Sequence, residues 1–225
     1  MKVILFGATG MIGQGVLREC LLDPEVQQIL AIGRGPSGAT DPKVRDLVHP
    51  DLYDLGPIEA QLAGYDACFF CLGVSSAGMS EQDYKRVTYD LTLGAAEAIA
   101  RQSPAMTFIY VSGQSTDGTE KGRVMWARVK GATENALLRL PFAGAYMFRP
   151  GAIVPMHGIV PRSKVYRVMY VLLGPLIWLL KDSAPTIVTT SERVGRAMLA
   201  VAKHGAAKRV LESEDINAIG AAAGS

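Results

Sequence analysis

The chain has 225 residues, enough for one well-cored α/β domain and too few for two. Its 23 basic and 21 acidic residues are interspersed and leave a formal net charge of +2, which offers no basic face to nucleic acid and no charged tail. Three cysteines, Cys20, Cys68 and Cys71, are an odd number without a disulfide framework and point to a reducing, cytoplasmic setting.

The first element is a short apolar strand, Val3 to Phe6, followed by glycines. Helical apolar spacing then resumes at Met11, Ile12, Val16 and Leu17, the order of strand, tight turn and helix. The few apolar residues before the glycine turn are too few for a secretory leader. The turn itself has the makings of a phosphate cradle. Gly7 can take a backbone shape closed to other residues, Gly10 lets the main chain approach a pyrophosphate, and Gly13 lets the helix lie close to the strand. With Thr9, Met11 and Ile12 they form the expected cofactor contacts, since amides at a helix start face an anion. Helix one should run from Met11 to Leu22 and stop at Asp23-Pro24.

Strand two, Gln28 to Ile32, ends in Gly33-Arg34-Gly35. An acid here would take up a free ribose 2′-hydroxyl, whereas Arg34 suits a 2′-phosphate, so NADP is expected in preference to NAD. Strand three spans about Val44 to Val48 and is closed by His49-Pro50-Asp51. Strand four, Ala67 to Leu72, is continuously apolar, as a strand covered on both faces should be. Ligands lie at the carboxyl ends of such strands, which puts Leu72 and Gly73 in the crevice. Cys68 and Cys71, three apart on a strand, point to opposite faces and read as packed thiols, and no metal site is expected.

Ser80, with Asp83 three residues on, caps a long helix that should bury Tyr84, Val87, Leu91, Ala95, Ala98 and Ile99. Strand five, Thr107 to Val111, ends at Ser112-Gly113. After a loop from Gln114 to Gly122 comes a helix from Val124 to Leu140 with Trp126 and Lys130 one turn apart. Strand six, Ala145 to Phe148, leads into Arg149-Pro150-Gly151. Residues 152–203 then contribute a small substrate cap, with a short strand at Thr186 to Val188 and a helix from Ser191 to Lys203. The apolar run Val168 to Leu180, broken by Gly174-Pro175, is too short to span a bilayer. It suits a cap or a subunit contact, through residues 165–180, better than a membrane surface. Ile219 to Ser225 is small-residue chain expected to be disordered.

Together, Gly7-Ala8-Thr9-Gly10-Met11-Ile12-Gly13, Cys71-Leu72-Gly73, Val111-Ser112, Lys130 and Arg149-Pro150-Gly151 resemble the atypical short-chain dehydrogenase/reductases. The nearest likeness is to the Tat-interacting-protein-like oxidoreductases and their bacterial epimerase-like relatives. The resemblance covers nearly the whole chain and implies a single doubly wound parallel α/β sheet (Rossmann fold) of order 3-2-1-4-5-6-7 with a small C-terminal substrate cap. It also implies NADP in the crevice, Ser112 and Lys130 as catalytic residues, Lys130 on the nicotinamide ribose, and Pro150 and Gly151 beside the nicotinamide. The family's Tyr-x-x-x-Lys reads Trp126-Ala127-Arg128-Val129-Lys130 here, and an indole N–H cannot serve as the acid that a phenol provides. Tyr84, Tyr89 and Tyr110 are the substitute donors the sequence offers, Tyr110 lying within a buried strand. Two functions follow: an NADP-dependent oxidoreductase or epimerase-like enzyme on a small molecule, or a catalytically silent NADP-binding sensor or partner-binding module.

Overall fold

A computed structural model describes residues 1–160 and 184–224. The apolar run Val168 to Leu180 and its expected subunit contact lie outside the described residues. The framework is a seven-stranded parallel sheet of order β3-β2-β1-β4-β5-β6-β9. Its strands are β1 (Lys2–Phe6), β2 (Gln28–Gly33), β3 (Val44–Val48), β4 (Ala67–Phe70), β5 (Thr107–Val111), β6 (Gly144–Arg149) and β9 (Val210–Glu212). A separate parallel pair joins β7 (Ala152–Val154) to β8 (Val188–Thr190). The doubly wound expectation therefore holds, with β9 as the seventh strand of the sheet.

Alternation along the central strands divides the core in two. Val3, Leu5, Ile29, Phe69, Ile109 and Phe148 face one way, against α1 (Met11–Leu22) and α5 (Ser191–His204). Ile4, Phe6, Leu30, Cys68, Phe70, Phe108, Tyr110 and Met147 face the other, towards α3 (Leu91–Gln102) and α4 (Met125–Leu138). Cys68 is fully buried and Cys71 packs against the opposite cluster, so the two thiols are separated by the sheet. Among the described residues no group of side chains could hold a metal, and no helix is long and apolar enough to cross a membrane.

Small residues set the helix distances. A Cβ on Gly15 would lie 2.7 Å from the Ser191 carbonyl oxygen, and one on Gly195 would lie 2.7 Å from Cγ of Glu19. This close seam places α5 in the helical layer beside α1, with Val194, Ala197, Met198 and Val201 fully buried.

Three stretches differ from the sequence reading, one of them the short strand expected at Thr186 to Val188, which is shifted to Val188–Thr190 behind a turn. The long helix after Ser80 is interrupted: α2 (Glu81–Lys85) passes through a π-helical turn (Arg86–Asp90) into α3. The wider turn rephases the buried face, so Thr88 turns inward while Val87 and Leu91 are only half-buried. The chain end is also ordered to Ala222. Helix α6 (Ser213–Ala222) starts on a capping box between Glu212 and Asp215, and Gly220 packs on the Arg193 backbone, where a Cβ would approach to 2.4 Å. Within the stretch read as disorder, Gly220 is the buried, closely packed residue, while Ala221 to Gly224 are exposed.

Candidate cofactor crevice and its proton donors

The site is built at the carboxyl ends of β1, β4, β5 and β6. At the end of β1, Gly7 has φ +80°, a conformation that L side chains rarely adopt. A Cβ there would also lie 2.8 Å from the carbonyl carbon and oxygen of Cys71, so β4 closes over the turn just before Leu72 and Gly73. The Gly10 amide donates to the Gly7 carbonyl at 2.9 Å. Gly13 lies on that same carbonyl, where a Cβ would come within 1.9 Å. A Cβ on Gly10, in contrast, would meet one atom within 4 Å, the Gly7 carbonyl oxygen at 3.3 Å, a tight contact with nothing else of the protein crowding that side of the turn. Helix α1 has no side-chain N-cap and no acid in its first turn, and the amides of Met11 and Ile12 have no intrahelical partner. Thr9 is tied to the helix by its carbonyl, which accepts from Gln14 Nε2 at 3.0 Å. The structure thus has what a pyrophosphate needs: free amides, a positive helix end and a place left empty by a missing side chain. Arg34 stands exposed just past β2, without an ion pair among the described residues.

At the end of β5, the Ser112 side chain is buried. Its hydroxyl lies 3.0 Å from the Thr116 hydroxyl, which itself donates to the Gly113 carbonyl at 2.7 Å. A hydroxyl has one proton. Thr116 spends its own on Gly113, so Ser112 is the donor to Thr116, and its Oγ is left as an acceptor. The Thr116 loop is in turn clamped by α4, since a Cβ on Gly131 would lie 1.8 Å from the Asp117 carbonyl oxygen.

Helix α4 carries Trp126 and Lys130. Trp126, in the first turn, is half-buried rather than part of the core. The Lys130 ammonium sits 5.3 Å from the centre of the Tyr110 ring. Tyr110 and Ser112 alternate onto the same side of β5, which places Lys130 on the face that carries Ser112. Burial pulls the Lys130 pKa down to about 8, against an opposing pull from the Glu134 carboxylate. Glu134, fully buried, is already engaged: Arg149 Nε lies 3.0 and 3.2 Å from its two oxygens and Nη2 lies 2.5 Å from Oε2. Arg149 also reaches Glu212 at 3.1 Å. The tyrosines separate as well. Tyr110 is core, and burial pushes its phenol far above the ordinary range. Tyr84 is equally buried, and Tyr89 is half-buried beneath the Lys85 ammonium.

Pro150 and Gly151 directly follow β6. The Pro150 carbonyl accepts from the Gln114 amide at 3.0 Å, and the Gly151 amide donates to the Ser213 hydroxyl at 2.7 Å. A Cβ on Gly151 would lie 2.2 Å from the Ile187 carbonyl oxygen, so only glycine fits between β6 and β8. Sequence reasoning missed two members of this site, Thr116 and Glu134. A threonine four after the strand-end serine and a glutamate four after the lysine were the available signals.

No family model matches the chain. It is 26% identical over 223 residues to "Protein fmp52-2, mitochondrial" of Aspergillus oryzae, covering 96% of this chain and 95% of that protein. It is 29% identical over 189 residues to "Protein fmp52, mitochondrial" of Emericella nidulans, covering 80% and 79% of the two chains. Those names overturn the cytoplasmic expectation. Unpaired cysteines report that thiols stay reduced and do not distinguish one reducing compartment from another. Among solved structures, dTDP-glucose 4,6-dehydratase DesIV from Streptomyces venezuelae, with NAD and TYD bound, superposes with a TM-score of 0.66 at 16% identity. It covers 94% of this chain and 74% of its own. The strand order, the crossovers and this likeness together show the doubly wound Rossmann fold.

Proposed function

We propose that this chain is an atypical short-chain dehydrogenase/reductase that binds NADP in preference to NAD and acts as an oxidoreductase or epimerase-like enzyme on a small molecule. The observation that carries the reading is the cradle, where Gly7 and Gly13 are forced by close backbone contacts while Gly10 is approached only by the Gly7 carbonyl oxygen. When bound, the dinucleotide supplies hydride transfer. The chain's own residues have separate tasks. The amides of Met11 and Ile12 hold the pyrophosphate, Arg34 meets the 2′-phosphate, and Leu72 and Gly73 border the crevice. Pro150 and Gly151 shape the nicotinamide side, and Ser112 and Lys130 attend the reacting group. A catalytically silent NADP-binding module is the second reading. It is favoured by Trp126 at the usual phenol position and by the inward commitment of the Ser112 proton.

Titration calorimetry with NADP and NAD, followed by turnover of NADPH with a set of carbonyl compounds, tests the reading. A guanidinium on a phosphate contributes about 1.5–3 kcal/mol, so NADP should bind roughly ten- to 150-fold more tightly than NAD, an advantage that Arg34→Ala removes. Equal affinities, or unchanged NADP binding by the variant, would refute the cofactor preference. NADP binding without turnover of any carbonyl selects the silent module.

A further inference from the structure

The site resembles a carbonyl-reducing centre from which the usual proton donor is missing. Trp126 occupies the phenol's position, Tyr110 is sealed in the core, and the Ser112 proton is turned inward to Thr116. Lys130 remains. It is half-buried on the face of β5 that carries Ser112, its ammonium lies over the Tyr110 ring, and it makes no ion pair among the described residues. The one carboxylate within a turn of it, Glu134, is held by the Arg149 fork.

Resting on the function proposed above, we infer that Lys130 is itself the proton donor of the reaction, and not only a support for a phenol. As the carbonyl is reduced, a hydride from the reduced nicotinamide dinucleotide forms the new C–H bond. An N–H bond of Lys130 breaks and an O–H bond forms on the carbonyl oxygen. The dinucleotide is oxidised by two electrons, the carbonyl becomes an alcohol, and the neutral amine takes its proton back from solvent.

Burial holds the Lys130 titration near neutral pH, with a pKa of about 8, where a general acid is both protonated and willing to give up its proton. The ionisable groups on the neighbouring elements have other partners or lie away from Lys130. On α2, Tyr84 is buried and acts electrostatically on Tyr110, Asp83 accepts from the Ser80 hydroxyl at 2.6 Å, Glu81 is paired with Arg128, and Lys85 is paired with Asp90 of the π-helical turn. On α3, Arg101 is paired with Glu59, and Glu97 is exposed. On β6 and β9, Arg149 and Glu212 are bound to each other, and Arg149 also to Glu134. Of all these, Glu134 is the charge that acts on Lys130, and it opposes the shift without cancelling it.

The test combines a readout that needs no turnover with one that does. Acetic anhydride labelling of the whole natural protein, followed by mass spectrometry at residue 130 across pH 6–11, reports the titration of the amine directly. The expected midpoint is about 8, against about 10.4 for an unperturbed lysine. NADPH oxidation with butanal, benzaldehyde and cyclohexanone should then fall as pH rises through that same midpoint, because the protonated form is consumed. Lys130→Arg keeps a cation and a hydrogen-bond donor but cannot release a proton. It should keep NADP affinity within about threefold and lose at least about a hundredfold in turnover. Circular dichroism melting confirms that the variant is folded, and Lys130→Gln repeats the comparison. A labelling midpoint above 10, or Lys130→Arg turnover close to natural, would overturn the proton-donor role, whereas NADP binding with no turnover of any carbonyl overturns the oxidoreductase reading on which it rests. Absence of binding by either dinucleotide instead overturns the proposed function on which it rests.

Discussion

Gly10→Ala and Gly13→Ala separate binding from folding, because the two glycines are small for different reasons. At Gly10 the backbone has φ −78° and ψ 165°, which alanine adopts freely. The added methyl meets one backbone oxygen, Gly7, at 3.3 Å. Losing a glycine N-cap to alanine costs a few tenths of a kcal/mol up to about 1 kcal/mol, and the reduced freedom of the unfolded chain returns about 0.4–1 kcal/mol. The two nearly cancel, so the melting temperature should move by no more than about 4 °C. Binding should not survive so well. The methyl fills the space in front of the turn, and relieving an overpacked contact costs about 1–3 kcal/mol, roughly five- to 150-fold in dinucleotide affinity. Gly13→Ala reverses the pattern. Its methyl would sit 1.9 Å from the Gly7 carbonyl oxygen, which belongs to backbone and cannot swing aside, so a loss of more than about 3 kcal/mol in stability is expected. Differential scanning calorimetry and dinucleotide titration on the two variants give the four numbers. A Gly10→Ala protein that binds NADP as the natural one does would refute the placement of the pyrophosphate.

Three further perturbations follow from the site. Glu134→Ala leaves the Arg149 guanidinium without its buried partner and should cost about 3–5 kcal/mol in denaturant unfolding; a loss below about 1 kcal/mol would show that the fork does not tie α4 to β6. Thr116→Val releases the Ser112 proton, so carbonyl reduction should rise about tenfold or more, within the range of one oxyanion donor. That gain should vanish in the Ser112→Ala/Thr116→Val double variant, and a fall in rate on Thr116→Val alone would contradict the inward assignment of the proton. Trp126→Tyr restores a phenol one turn before Lys130 and should raise the rate by about 10²-fold with NADP affinity unchanged; no gain would mean that the first turn of α4 does not face the reacting group.

The sheet was legible in the sequence because buried parallel strands are written as continuous apolar runs between turn residues, as in Ala67 to Phe70 and Thr107 to Val111. Helix α1 was legible to the residue because Gly10 and Asp23-Pro24 mark both of its ends. Features that depend on distant packing were not. The π-helical turn at Arg86–Asp90 has no local signal and shows itself only by turning Thr88 inward. Helix α6 looked like a small-residue tail because Gly220 answers to Arg193, far away in sequence. In the crevice, the glycines and Lys130 announce themselves by type and spacing. The direction of the Ser112 proton is set by the Thr116–Gly113 bond and needs three-dimensional structure to be read.

A crystal structure of the natural protein with NADP bound decides where the dinucleotide and the reacting group lie. The pyrophosphate is expected on the amides of Met11 and Ile12, the 2′-phosphate at Arg34, and the nicotinamide between Trp126 and Gly151 with Lys130 at its reacting edge. A dinucleotide bound elsewhere on the fold, or an indole turned away from the nicotinamide with Lys130 out of reach, would contradict this placement.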